Sequence, residues 1–188
     1  MDALIPDHRR RLLDAMATTV ASKGYAALTI ADLAGEARVS KRSFYEQFRD
    51  KADCFIALYE LASRQSLIPV QNVLADHRPW PVQVEHVMAA YLGGLARQPA
   101  LLSTLFIDIM ALGDQGLFAR RRATEQLASL IVQATEQALD QRQAVALVAG
   151  VHEWVLQAAE AHQADQLPLL AAEGARLVCA VADTRQVA

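Results

Sequence analysis

Cysteine is nearly absent from this chain. Cys54 and Cys179 stand 125 positions apart, which provides neither a disulfide framework nor a metal-ligand spacing. Both read as small buried hydrophobes of a reducing cytoplasm. Long apolar runs are missing as well. The longest stretches without Asp, Glu, Lys or Arg, 65–75 and 86–96, hold 11 residues each, whereas a membrane-spanning helix needs about 20. No basic segment leading into an apolar run and a cleavage site opens the chain, so a cytoplasmic protein without a secretion signal is expected. Of the 188 residues, 53% are apolar and 21% charged, which excludes disorder and predicts one or two domains with an ordinary core.

Catalytic signatures are lacking too. His152-Glu153 would need a second histidine at 156 to make a zinc motif, and that position is Leu156. His8, His77, His86, His152 and His162 show no ligand spacing, and there is neither a phosphate-cradling glycine loop nor a Gly-x-Ser-x-Gly turn. No catalytic residue, metal or cofactor is therefore expected, and an all-helical enzyme is the rival reading. A positive excess is absent: 18 basic against 21 acidic residues leave a net charge of −3, which taken alone argues against nucleic acid. The distribution is uneven, however. Residues 1–54 hold 9 basic and 8 acidic residues, including all three lysines (Lys23, Lys41, Lys51), while the remainder holds 9 basic and 13 acidic.

What the chain does have is alanine, leucine and helical periodicity; no stretch alternates apolar and polar over strand length. Leu12, Leu13, Met16 and Val20 form one stripe, with Pro6 suited to a first turn and Gly24 to the position past a helix end, so helix 1 is expected near 7–23. Thr29 with Asp32 makes a short capping box for a helix ending near Glu36 or Ala37. Ser40 caps the next, and Asp50 with Asp53 opens a longer one through Phe55, Leu58 and Leu61, with Pro69 expected to kink or end it. Two short helices across a tight joint, flanked by longer ones, form a helix-turn-helix arrangement. The stretch His77-Arg78-Pro79-Trp80-Pro81 breaks the chain. Further helices are expected near 81–97, 99–112, 115–139, 142–163 and 166–184, giving an all-α fold.

At about 100° per residue, Phe44 and Phe48 share one face of the helix after Ser40, while Arg42, Tyr45, Glu46 and Arg49 occupy the other. An aromatic ridge for burial opposite two arginines and a tyrosine is what a groove-inserting helix needs, since arginine grips guanine or phosphate and tyrosine donates to backbone oxygens. Ser40 and Lys41 sit where helix N-terminal amides meet a phosphate, and Lys51 holds the same position one helix later.

Residues 29–55, TIADLAGEARVSKRSFYEQFRDKADCF, resemble the DNA-binding signature of TetR-type bacterial transcriptional regulators. The resemblance extends over roughly 7–60. It rests on Thr29, Asp32-Leu33-Ala34, Val39-Ser40, Phe44-Tyr45, Phe48 and Lys51 at the signature's spacings. It implies a DNA-binding domain at 1–52 and a helical effector-binding and dimerisation domain at 53–188. It further implies that Lys41, Arg42, Ser43 and Tyr45 meet bases or nearby phosphates, while Thr29, Ser40, Gln47 and Lys51 hold the backbone. Two departures stand out. Arg38 occupies a turn position usually held by glycine, and Arg42 replaces a commonly small residue, so the operator sequence does not carry over.

Beyond Leu61 the resemblance is architectural. Met88, Tyr91, Phe106, Asp108 and Met110, with His152 and Trp154, are the candidate lining of an adaptable apolar pocket. Asp108, inside an apolar run, needs a partner such as Arg97 or Arg120. By family analogy the last two long helices pair with their symmetry mates, with Val148, Val151, Val155, Leu170 and Leu177 as interface candidates. The expectation is a homodimer that binds a near-palindromic double-stranded operator and is released by a small apolar effector, most simply a repressor. The alternatives are an activator or a regulator under protein control.

Overall fold

The computed structural model describes residues 7–76 and 78–183; Pro6 and His77, which entered the readings above, lie outside the described residues. Among the described residues all regular structure is helical, and no helix is long and apolar enough to cross a membrane.

Helix α1 (Asp7–Ala27) buries Leu12, Leu13, Met16 and Val20, the stripe expected from the sequence. Gly24 breaks it at φ 73°, ψ 157°, a conformation open to glycine without a Cβ penalty, and the chain then turns once more to Ala27. The capping box forms at α2 (Ile30–Glu36): Thr29 Oγ1 accepts from Asp32 N while Asp32 Oδ2 accepts from Thr29 N. Helix α3 (Lys41–Gln47) starts on Ser40, whose Oγ accepts from Ser43 N at 3.0 Å. Asp50 likewise caps α4 (Lys51–Leu74) by accepting from Asp53 N at 2.8 Å. Phe44 and Phe48 are buried with Leu33, Cys54 and Phe55 in the core under the turn.

Arg38 settles the question its sequence position raised. It adopts φ 52°, with its N–H donating to Gly35 O and that of Val39 donating to Ala34 O. This is the Schellman closure of α2, built without glycine. A left-handed L-residue costs about 1–2 kcal/mol. The Arg11 guanidinium donates to the Arg38 carbonyl at 2.9 Å, a backbone contact that glycine would keep. Arg38→Gly is therefore expected to stabilise the fold by about 1 kcal/mol, a rise of roughly 2–4 °C in Tm. An unchanged or lower melting temperature would count against strain at this position.

The body adds α5 (Trp80–Ala96), α6 (Pro99–Leu102), α7 (Asp114–Ala134), α8 (Gln141–Glu160) and α9 (Ala171–Asp183). Pro69 does not end α4. Buried Leu67 and Val70 on either side carry the helix through it to Leu74. The single helix expected over 99–112 is instead three pieces: α6, a π-helical segment Ser103–Ile107 and a 3-10 segment Asp108–Leu112. The change of pitch turns Leu105, Phe106 and Ile109 inward while leaving Ile107 and Met110 exposed. Propensity does not encode that preference. Helix α7 stops at Ala134, short of the expected 139, because the chain turns through positive φ at Glu136 and Gln137 to bury Leu139. A 3-10 segment, Ala164–Leu170, occupies the start of the last expected helix. Helix α5 packs against α4 and α9, and α7 against α4 and α8.

Candidate nucleic-acid interface and effector cavity

The outward face of α3 is polar and open. Lys41 and Arg42 are exposed, and Tyr45 is 59% exposed despite its size. Arg42 Nε donates to Glu46 Oε1 at 3.1 Å. That ion pair lies at the surface, where such pairs contribute little, so the guanidinium is readily transferred to another acceptor. Ser43 is partly buried, its N–H and hydroxyl both engaged by Ser40 Oγ. Ser40 and Gln47 complete the row along the helix.

Two of the expected backbone-holding residues spend their donors inside the domain. Thr29 Oγ1 donates to Asp32 Oδ2 at 2.7 Å, and Asp32 also accepts from Lys23 Nζ at 3.0 Å. The Thr29 hydroxyl and Lys23 together hold the Asp32 carboxyl down at about 2. Lys51 Nζ donates to the carbonyls of Tyr25 at 3.0 Å and Leu28 at 2.8 Å, over the Tyr25 ring. Lys51 thus ties the end of α1 to the start of α4. Two of its three donors are thereby engaged within the chain.

Two arginines of α1 hold the end of α3 and the turn before it. Arg9 Nη1 donates to Gln47 O at 2.7 Å while its guanidinium lies 4.2 Å from the Phe48 ring centroid, and Arg11 holds the turn through Arg38 O. The available signal was the unsatisfied carbonyls at the end of a short helix, which call for a nearby donor.

In the body, Tyr91, Phe106 and His152 meet. The Tyr91 hydroxyl and His152 Nε2 share a hydrogen bond at 2.9 Å, Thr124 Oγ1 lies 3.4 Å from His152 Nδ1, and Phe106 packs edge-on against the imidazole at 5.3 Å. Burial, helped by the Arg120 charge, lowers the His152 pKa to about 4, and burial pushes Tyr91 upward. These residues line a cavity of about 20 Å³ between α4 and α7, closed on its inner side by Leu105 and Leu127. That is room for about one water.

The other pocket candidates lie elsewhere. Met88 backs Gly174 of α9, Trp154 packs half-buried against the core, and Met110 is exposed and accepts weakly from Arg120 at 3.7 Å. Asp108 pairs with neither Arg97 nor Arg120 among the described residues. Burial raises its pKa against the opposing hydrogen bond from the Tyr25 backbone N–H. Of the interface candidates, Val148, Val151 and Val155 are buried within the protomer, Leu170 is half-buried and Leu177 is 40% exposed. The valine stripe faces inward because it is the wide apolar side of α8. Its outward side carries Ala146, Ala149 and Gly150 together with Arg142, Glu153 and Gln157.

A capped helix-turn-helix with an open basic face, mounted on an all-helical body with its own cavity, defines the class of helical DNA-binding regulators. Residues 12–58 match the family described as bacterial regulatory proteins, tetR family. The nucleoid occlusion factor SlmA of Marinomonas sp. (strain MWYL1) is 26% identical over 105 residues, covering 56% of this chain and 53% of that protein, so the match spans about half the relative's length. The fatty acid degradation regulator FadR from Bacillus halodurans has the same fold, with a TM-score of 0.78 at 16% identity over 94% of this chain and 96% of that one. The Bacillus subtilis regulator FadR, solved in complex with stearoyl-CoA, superposes with a TM-score of 0.70 at 18% identity, covering 90% and 96% of the two chains. Residues 12–58 are thus a tetR-family regulatory-protein region, and the chain as a whole shares the fold of both FadR regulators.

Proposed function

We infer that the protein is a dimeric repressor whose α3 helices read a near-palindromic operator and whose grip is released by a small apolar effector. The observation that carries the reading is Lys41, Arg42 and Tyr45 standing exposed on a helix that Arg9 and Arg11 clamp from behind. Preorganised donors on a rigid element suit groove insertion, and twofold symmetry in the protein is mirrored in half-sites. The outward faces of α8 and of the chain entering α9, with Ala146, Ala149, Gly150, exposed Leu169 and Leu177, support a close helix-on-helix dimer contact.

Coupling has a physical route. Phe106 lines the cavity and Asp108, two residues on, accepts from the Tyr25 backbone beside the Lys51 clamp. A ligand that displaces the π-helical segment moves both. It shifts the equilibrium by its difference in affinity between the two states. The stearoyl-CoA complex of the Bacillus subtilis FadR makes ligands with acyl chains the first class to screen. A second reading, a regulator without a small-molecule effector, draws support from the cavity's size of about 20 Å³.

The test is fluorescence anisotropy of the protein with DNA fragments flanking its own coding sequence, at low salt. One fragment is expected to bind at least tenfold tighter than random DNA, with affinity falling as salt rises. Equal affinity for every fragment would exclude operator recognition.

A further inference from the structure

Among the described residues Arg120 is a half-buried cation without a counter-ion. It lines the cavity that holds Tyr91 and His152, and its described hydrogen-bond contact lies outside that lining, the weak acceptor sulfur of exposed Met110 at 3.7 Å. Among the described residues no carboxylate pairs with it, whereas its neighbour Arg122 pairs with Glu60. Its charge is felt across the cavity: it lowers the pKa of His152 and opposes the upward shift that burial gives Tyr59. The remaining polar side chains of the lining, Tyr59, Ser63, Ser66, Tyr91 and His152, carry no negative charge, and Ser66 and Tyr91 are already bonded to the Ser63 carbonyl and to His152. A half-buried guanidinium with no carboxylate partner among the described residues can form charge-assisted hydrogen bonds to an incoming anion.

There is a path for such a ligand. A second chamber of about 110 Å³ shares Tyr59, Ser63 and Ala123 with the first and is bordered by the Glu60–Arg122 pair and Arg64. The two chambers together approach the size of an engineered cavity of about 150 Å³ that takes benzene. The apolar wall of Leu67, Leu105 and Leu127 suits a short hydrocarbon tail.

We propose that the effector is an organic monocarboxylate with a short apolar tail, held between α4 and α7 with Arg120 as its counter-ion. This deepens the effector-responsive reading and rests on it.

The experiment compares hexanoate with its neutral isostere hexanamide and the cation hexylamine, by isothermal titration and by DNA release. Hexanoate is expected to bind at least tenfold tighter than hexanamide, with hexylamine not binding. Arg120→Gln is expected to erase the difference, and Arg120→Lys to retain part of it. Melting curves recorded first establish that both variants fold, and Arg120→Lys decides the matter if Arg120→Gln does not. Equal binding of acid and amide to the wild type, a preference that survives Arg120→Gln, or no binding by hexanoate would overturn the proposal. The effector reading survives those results if hexanamide or 1-hexanol releases DNA, and falls with the proposal if neither does.

Discussion

Gly116→Ala is expected to destabilise the protein by about 3 kcal/mol, at the upper end of overpacking costs, and to lower the melting temperature by roughly 5–10 °C. A Cβ built on Gly116 would lie 2.0 Å from the carbonyl oxygen of Ile109 and 3.3 Å from Leu112 Cβ. No side-chain rotation relieves a clash with backbone. Ile109 is itself fully buried in the 3-10 segment, so the first turn of α7 must move away from that segment. The same segment carries Asp108 to Tyr25 and follows directly on Phe106. The variant should therefore also respond less to effector. Gly35→Ala is the control, since nothing lies within 4 Å of its built Cβ and alanine favours the helix. It should melt at or above the wild type. A Gly116→Ala protein melting with the wild type would mean that the two segments are not in the contact described.

The second large effect is acid sensitivity. An unfolded histidine takes up its proton near pH 6.5, whereas folded His152, buried against Tyr91, Phe106 and Thr124 and facing Arg120, takes it up only at about 4. Between those values the unfolded state binds more protons, so stability falls as pH falls. Full stability from this group is present above about pH 6.5 and is lost by about pH 4, a loss of roughly 3 kcal/mol. Asp32, whose carboxyl is held at about 2, acts in a lower window, below the ordinary carboxylate range, and is separable from His152. Urea unfolding at half-unit steps from pH 7 to 4 measures the slope. His152→Gln should flatten it between 6.5 and 4, even if the variant starts from lower stability. An unchanged slope in the variant would assign the acid sensitivity to other groups.

The N-terminal domain was legible because its information is local. Thr29, Ser40 and Asp50 announce their caps within three residues, and the Phe44–Phe48 ridge follows from helical period. The contacts of Arg9, Arg11 and Lys51 were not legible because their partners are carbonyls more than twenty residues away, and a carbonyl has no signature in the sequence. The body was legible as helices but less so as a site. Tyr91, Phe106 and His152 converge, while Met88, Met110 and Trp154 share their chemistry and fall elsewhere. The π and 3-10 pitch over Ser103–Leu112 turns Phe106 inward and leaves Met110 exposed, and packing against the neighbouring helices selects that pitch. Period also misled at α8. It located the apolar stripe of Val148, Val151 and Val155 correctly, but the same stripe serves the protomer's own core.

Net charge of −3 averages residues 1–54, with 9 basic and 8 acidic, and a remainder with 9 basic and 13 acidic, and DNA responds to the local field. On the proposed reading, α3 carries the base contacts that discriminate between sequences. The most direct measurement is the affinity of wild type and Arg42→Ala for operator and for random DNA of equal length, at one salt concentration. Arg42 is 90% exposed at its side chain and touches no core residue, so stability should not change. Loss of a base contact should cost about 1–3 kcal/mol on the operator and little on random DNA, narrowing the ratio between them. Equal losses on both, or none on the operator, would contradict the assignment of α3 as the helix that reads sequence.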